Sequence, residues 1–170
     1  KKVKTDGELV AGAIAISDEV QGGEVVLPFT PIHQVKIDSS FRFVPQGLTP
    51  LYDTLTVSLV AMVLMSLMAK AHRKRVVIMV YVLTDGAEMG SHTFELGDTS
   101  EMVTLLTQGR IKHRVAGVGV GYPMKEVFTS MGIPAEAIRD IESPAELQSL
   151  FEEIGQSVSA TSQGGDTGGF

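Results

Sequence analysis

A carboxylate stands at the end of the most apolar stretch of the chain. Residues 76–83 are all apolar and mostly β-branched or aromatic, which predicts a strand buried on both faces. The run ends at Thr84, Asp85 and Gly86. Open α/β sheets bind ligands at the carboxyl ends of their parallel strands, so Asp85 occupies a ligand-binding position. The alternative is that Asp85 and Gly86 simply begin a turn.

Composition limits the classes of partner. The 170 residues predict one domain with a sizeable core, and the hydrophobic content of 44% with 20% charged residues is that of a globular protein. A net charge of −6 argues against a nucleic-acid partner, and the basic run at residues 72–75 is typical of a solvated helix end. With no cysteine, disulfides and thiolate metal sites are excluded.

Helical and strand patterns alternate along the chain. The predicted helices are residues 6–17 with Asp6 as N-cap, 49–74, 99–108 opening on Asp98 and Glu101, 125–131 and 144–157. The predicted strands are residues 24–30 and 34–37, paired as a hairpin, and 76–83, 114–120 and 139–141.

This alternation predicts an α/β fold: a Rossmann-like three-layer sandwich with a mainly parallel central sheet and one antiparallel edge strand. The domain is expected to span residues 1–160, followed by a Gly-rich flexible tail at 161–170. The apolar run at residues 54–69 is interpreted as a core helix, because it is too short to span a bilayer.

Two segments together resemble the von Willebrand factor type A (VWA) domain. They are GLTPLYD at residues 47–53 and LTDG at residues 83–86. Further segments at residues 116–121, 131–134 and 150–159 are similar to bacterial intracellular VWA proteins of the kind associated with tellurium resistance and phage defence. The resemblance covers residues 6–160 and implies a cytoplasmic protein.

The resemblance implies a metal-ion-dependent adhesion site (MIDAS). Thr49 would offer its hydroxyl and Asp85 its carboxylate to Mg²⁺, or to Mn²⁺ or Ca²⁺, with Thr84, Gly86 and Glu88 close to the bound ligand. A protein partner would complete the coordination with an acidic side chain. No catalysis, nucleic acid or membrane is implied. The alternative for Thr49 is that it is an ordinary helix N-cap. Asp53 is explained by the favourable interaction of a carboxylate with the helix dipole in the first turn.

One part of the family pattern is absent from the sequence. The Asp-x-Ser-x-Ser loop, which in this family follows a central first strand, does not occur, and residues 6–8 cannot replace it. We therefore expect that the 170 residues begin downstream of the native N-terminus, or that another segment supplies the strand. Metal affinity is expected to be weak without that loop.

Two other functions fit the same pattern. One is an enzyme-like α/β domain in which Asp85 handles a metal-bound phosphate ester or nucleotide, although no phosphate-binding glycine loop follows the first predicted strand. The other is a VWA scaffold that has lost its metal and works through its surface.

Overall fold

The computed structural model describes residues 8–36, 47–74, 76–108 and 113–162. Its strands are β1 (Val10–Ala15), β2 (Glu24–Pro31), β3 (Met79–Thr84), β4 (Arg114–Val120) and β5 (Ile138–Ile141). Its α-helices are α1 (Leu51–Ala71), α2 (Leu96–Thr107), α3 (Lys125–Ser130) and α4 (Pro144–Ser162). Two short 3₁₀ helices, Ile32–Gln34 and Ala135–Ala137, complete the described elements.

The central sheet is parallel and has the order β3-β4-β5 among the described residues. The register pairs Thr84 with Gly119, and Gly119 with Asp140, so the carboxyl ends of the three strands lie at one edge. The glycines of β4 let helix α3 approach closely. A Cβ on Gly117 would lie 2.5 Å from the ring of Phe128, so no other residue fits there without displacing that ring.

Helices cover both faces of this sheet. Alternate side chains of β3 and β4, including Val82 and Val115, join one apolar cluster with residues of α1, α2 and α3. The opposite side chains, including Val118, pack against Leu150 of α4 in a second cluster. The predicted three-layer α/β sandwich is therefore confirmed.

The first predicted helix, residues 6–17, is wrong. Residues 10–15 form strand β1, which pairs antiparallel with β2. Gly12 and the β-branched Val10 and Ile14 are poor helix formers, and cross-strand contacts decide the outcome. A Cβ on Gly12 would lie 3.0 Å from the ring of Phe29 in β2. The proposed N-cap, Asp6, lies outside the described residues.

The predicted hairpin has different partners. The strand expected at residues 24–30 is present as β2, but residues 32–34 form a 3₁₀ helix instead of a second strand, and residue 37 lies outside the described part. Strand β2 pairs with β1 in a separate two-stranded sheet, so it is not an antiparallel edge of the central sheet.

Helix starts follow the capping chemistry, with one shift. Helix α2 begins at Leu96, not at residue 99: Glu95 is its N-cap, and Asp98 at N3 completes the capping box that the sequence suggested for Asp98 and Glu101. At α4 the hydroxyl oxygen of Ser143 accepts the Glu146 N–H at 3.3 Å, as predicted. Helix α4 continues through Ser162, beyond the predicted end at 157 and into the predicted tail.

Helix α1 is apolar on most of its surface. Leu51, Leu55 and Leu59 are buried in the core, which confirms a core helix in its first half. Further along, Leu64 and Leu67 are 55% and 57% exposed. The helix has 21 residues, fewer than the predicted helix at 49–74 but more than the apolar run at 54–69. By length and composition it could cross a membrane, although it begins inside the core.

Strand β3 is less buried than its sequence predicts. Among its side chains Val82 and Thr84 are buried, whereas Met79, Val80, Tyr81 and Leu83 are only half-buried. In contrast, every residue from 115 to 119 of β4 is buried. The reason is position: β4 has neighbours on both sides, whereas β3 has a strand neighbour on one side only within the described part of the chain.

His113 makes the stability of this sheet sensitive to acid. Its Nδ1 accepts the Ile78 N–H at 3.1 Å, and burial lowers its pKa below the ordinary value of 6.5. As the pH falls through 6.5, the unfolded chain takes up a proton that folded His113 resists, so the free energy of unfolding decreases.

We expect the midpoint of urea unfolding to fall between pH 7 and pH 5, and His113→Gln, whose side-chain carbonyl can also accept the Ile78 N–H, to reduce that dependence. An equal pH dependence in both proteins would show that His113 is not its source.

Candidate functional site

The turn after β3 presents Asp85 to solvent. The Thr84 hydroxyl donates to the carbonyl oxygen of Gly86 at 2.9 Å, and its oxygen lies 3.2 Å from the Gly86 nitrogen, so the buried Thr84 side chain fixes the turn from inside. Asp85 is exposed at the carboxyl edge of the sheet, and no described residue donates a hydrogen bond to its carboxylate. Asp85 and Gly86 thus form a bend after β3, as the turn alternative predicts, and ligand binding at Asp85 stays a prediction.

Thr49 lies beside this turn although it is distant in sequence. It forms an isolated antiparallel bridge with Met89, whose N–H donates to the Thr49 carbonyl oxygen at 2.9 Å. The Thr49 hydroxyl oxygen is 3.6 Å from the point that a Cβ on Gly86 would occupy. The structure therefore brings Thr49, Thr84, Asp85 and Gly86 together.

The N-cap alternative for Thr49 is wrong. The N-cap residue of α1 is Pro50, whose side chain makes no capping hydrogen bond. The Thr49 hydroxyl makes no hydrogen bond with the rest of the described chain, since only its carbonyl oxygen is engaged, by the N–H groups of Leu51 and Met89.

Glu88 caps helix α1 from the following loop. Its carboxylate accepts the N–H of Tyr52 at 2.9 Å, the N–H of Ser91 at 2.8 Å and the hydroxyl of Ser91 at 2.9 Å. The Ser91 oxygen in turn accepts the N–H of Asp53 at 3.1 Å. Two of the helix N–H groups that lack an intrahelical partner are thus satisfied by a loop that follows β3. Glu88 lies close to Asp85 in sequence, but its oxygens are occupied.

Asp53 fixes the far end of the same loop. It is 4% exposed, and its carboxylate accepts the N–H groups of His92, Thr93 and Phe94 at 2.8 to 3.3 Å. Burial alone would raise the pKa of Asp53, but these three backbone donors, helped by the nearby His92, hold the pKa below its ordinary value. Asp53 is therefore a buried anion that clamps residues 92–94 to α1, which is more than the first-turn dipole effect predicted for it.

Sequence patterns do not predict this clamp. They place Glu88 near the ligand and Asp53 at a helix start, and they indicate no role for Ser91. The partners of these residues lie across two loops, so no local spacing marks them. The polar run GAEMGSHT at residues 86–93 is the only trace, and it is equally typical of a solvated loop.

The neighbouring strand ends add acidic and aromatic groups. Tyr122, just after β4, is 52% exposed, and Asp140 at the end of β5 accepts the Met124 N–H at 2.8 Å. A cleft of about 420 Å³ lies between these two strand ends, with exposed Glu142 in its lining. Asp85, which follows the adjacent strand β3, does not line this cleft.

The oxygen atoms at Thr49 and Asp85 suit a hard divalent cation, which prefers carboxylate, hydroxyl and water ligands. They supply one carboxylate and one hydroxyl. Within the described residues no group of three His, Cys, Asp or Glu side chains is arranged to hold a metal ion. A cation at Thr49 and Asp85 would therefore keep most of its coordination for water or for other ligands.

Comparison of the chain with protein-family models, with curated proteins and with solved structures found no match. The described fold is an α/β sandwich, and the resemblance to the VWA domain remains an expectation from the sequence motifs.

Proposed function

We propose that this chain is a protein-interaction module of the VWA type, which binds a partner protein through a divalent cation at a MIDAS-like site and has no catalytic role. The observation that carries the proposal is the position of the Thr49 hydroxyl beside Gly86, next to the exposed Asp85. The Thr49 hydroxyl and the residue after Asp85 thus lie side by side at the carboxyl edge of a parallel sheet, where α/β folds bind ligands.

Each residue has a distinct part in this proposal. Asp85 and Thr49 would hold Mg²⁺, or Mn²⁺ or Ca²⁺, directly or through water. Thr84 and Gly86 fix the turn that carries Asp85, since Thr84 bonds to both backbone groups of Gly86. Glu88 keeps the Thr49 side of the site in place, because its carboxylate accepts N–H groups from the start of α1 and from Ser91.

The partner would offer an acidic side chain to the cation. A cation with only two protein ligands keeps open coordination positions, and an external carboxylate is a ligand it prefers. Leu48, which precedes Thr49, and Met89, its bridge partner, are 43% and 59% exposed. Such apolar side chains beside a charged centre provide the contact area that a protein partner uses and a small ion does not.

A metal-free scaffold is the second candidate. It is favoured by the small number of ligands at the site and by the engagement of Glu88 and Asp53 with backbone groups. This candidate predicts that removal of the Asp85 charge changes neither cation binding nor partner binding. The phosphate-ester enzyme would instead require hydrolysis of a phosphate ester that depends on both the cation and Asp85.

Asp85→Asn tests the proposal. We expect calorimetric titration with Mg²⁺ or Mn²⁺ to show weak saturable binding to the 170-residue chain, and the variant to bind at least about tenfold more weakly, since it loses the only carboxylate of the site. Because the side chain is exposed, the thermal midpoint should be unchanged.

Glu142→Gln is the matched control, since it removes an exposed carboxylate at the same sheet edge, after β5. Equal affinities for the chain and for Asp85→Asn, or a loss in Glu142→Gln alone, would refute a site at Asp85.

A further inference from the structure

The second half of α1 exposes apolar side chains on the face that points away from the sheet. Leu55 and Leu59 are buried in the cluster that α1 forms with the sheet. Leu64 follows Leu55 by nine residues, about two and a half helical turns, so it lies on the opposite side of the helix. Leu64, Leu67 and Met68 are 55%, 57% and 67% exposed. A strand added to the sheet would lie on the core side of α1 and would leave these three side chains uncovered.

A basic group lies at the same end of the helix. Its exposed side chains are Lys70, His72, Arg73 and Lys74. None of the four forms an ion pair with a described residue. The Lys74 N–H donates to the carbonyl oxygen of Ala69 at 2.8 Å, so the chain turns back on the end of the helix. The positive charges are therefore held close to the exposed apolar side chains of the last helical turns.

The charge of this segment is opposite to that of the chain as a whole. Residues 54–84 contain no Asp or Glu and four Lys or Arg, within a chain of net charge −6. An anionic bilayer is complementary to such a surface, because its headgroups attract Lys and Arg and its acyl chains accept aliphatic side chains. A nucleic acid offers the negative charge without the apolar phase. The aromatic side chains that dominate protein interfaces are absent from α1 after Tyr52.

The geometry of α1 favours contact with a bilayer surface over a membrane span. The helix is long and apolar enough to cross a membrane, but its first half is committed to the core, where Leu51 and Leu59 are fully buried. The remaining residues 60–71 form a segment about 18 Å long, whereas the hydrocarbon core of a bilayer is about 30 Å thick. The exposed half is therefore long enough to lie in the interface and too short to span it.

We propose that this surface binds an anionic phospholipid bilayer, as a peripheral contact of the folded chain. The basic-apolar surface, as we term it, consists of Leu64, Leu67, Met68, Lys70, Arg73 and Lys74. The aliphatic side chains enter the outer acyl region, and the basic side chains bind the headgroups. The proposal is independent of the cation site, which lies at the other end of α1, about 30 Å along the helix.

A single fluorophore tests whether the basic-apolar surface enters a bilayer. The chain contains no cysteine, so Leu64→Cys provides one site for a polarity-sensitive dye. Vesicles of phosphatidylcholine and phosphatidylserine should shift the emission to the blue, and high salt should reverse the shift. Vesicles of phosphatidylcholine alone should leave it unchanged. The matched control is Phe151→Cys, since Phe151 is 52% exposed on α4, which packs on the other face of the sheet.

Arg73→Gly tests the charge without weakening the fold. Arg73 has a φ of +56° and is the only described residue other than glycine with a positive φ, so glycine should not lower the thermal midpoint. We expect the affinity for phosphatidylserine vesicles, measured by sedimentation, to fall about fivefold, which is the effect of one Lys or Arg near an anionic surface. Lys125→Gln, which removes an exposed charge at the start of α3, should leave the affinity unchanged.

Four results would overturn the proposal. Blue emission from labelled Leu64→Cys before vesicles are added would show that another part of the chain or a second copy covers the surface. An emission that phosphatidylserine leaves unchanged would exclude the contact. Equal shifts in Leu64→Cys and Phe151→Cys would assign the effect to the dye. The same shift with polyglutamate in place of vesicles would assign the surface to an acidic polypeptide.

Discussion

Asp53→Ala is expected to lower the free energy of unfolding by about 3 kcal/mol, since the substitution removes a buried carboxylate and leaves the three backbone N–H groups that it accepts without their partner. Those groups belong to His92, Thr93 and Phe94, and the side chain that serves them is 4% exposed. Urea unfolding followed by circular dichroism measures the loss. Asp53→Asn keeps one acceptor oxygen without the charge, so its free energy of unfolding should lie between those of the unmutated chain and Asp53→Ala.

The matched control for Asp53 is Asp98→Ala. Asp98 also stands in the first turn of a helix, but it is exposed and accepts only the Glu95 N–H, at 2.9 Å. Its removal should cost about 1 kcal/mol. Equal losses in the two alanine variants would contradict the clamp and leave only a helix-dipole effect.

Acid should weaken the same clamp. The folded-state pKa of Asp53 is below the ordinary 3.8, so its contribution to stability is present above pH 3.8 and is lost as the pH falls through the folded pKa. The difference in stability between the unmutated chain and Asp53→Ala should therefore shrink below about pH 4.

Thr49→Val is expected to change cation binding and Thr84→Val to change stability, although each replaces a hydroxyl by a methyl group of similar volume. Thr49→Val should weaken Mn²⁺ binding several-fold and leave the thermal midpoint unchanged, because its hydroxyl bonds to no described residue. Thr84→Val should lower the free energy of unfolding by about 1 to 2 kcal/mol, since two partly buried hydrogen bonds to the backbone of Gly86 are lost.

Calorimetric titration and thermal unfolding of both variants separate the two roles. Loss of stability in Thr49→Val with unchanged cation affinity would assign the Thr49 hydroxyl to the fold and would remove it from the site.

The central sheet was predictable because its strands are marked locally. Residues 114–120 were predicted with the bounds observed for β4, and residues 139–141 differ from β5 by one residue. Residues 115–120 are a short apolar run bounded by turn residues, in a chain where helices alternate with strands, whereas residues 139–141 are marked only by their place between two helical segments. Ser143 and Glu146 likewise marked the start of α4 by local capping chemistry.

The failures share a non-local cause. Strand β1 is decided by its pairing with β2, across a turn at Gly22 and Gly23, and its residues alone fit a helical pattern about as well. The same holds for β3: residues 76–83 predict a strand buried on both faces, and its half-buried state depends on which strands flank it.

The candidate site was predictable only in its outline. The motif resemblance paired Thr49 with Asp85, and the structure brings the Thr49 hydroxyl to the turn that carries Asp85. The roles of Asp53, Glu88 and Ser91 depend on hydrogen bonds between two loops that are far apart in sequence. Residue type cannot distinguish a carboxylate that faces solvent from one that is occupied by backbone donors.

The most direct test of a cation site at Thr49 and Asp85 is paramagnetic broadening by Mn²⁺ in nitrogen-15 spectra of the 170-residue chain. At substoichiometric Mn²⁺, we expect the amide signals of Thr49, Asp85 and Gly86 to broaden first, and Asp85→Asn to abolish the effect. Broadening centred on Asp140 and Glu142, or no selective broadening at all, would contradict it.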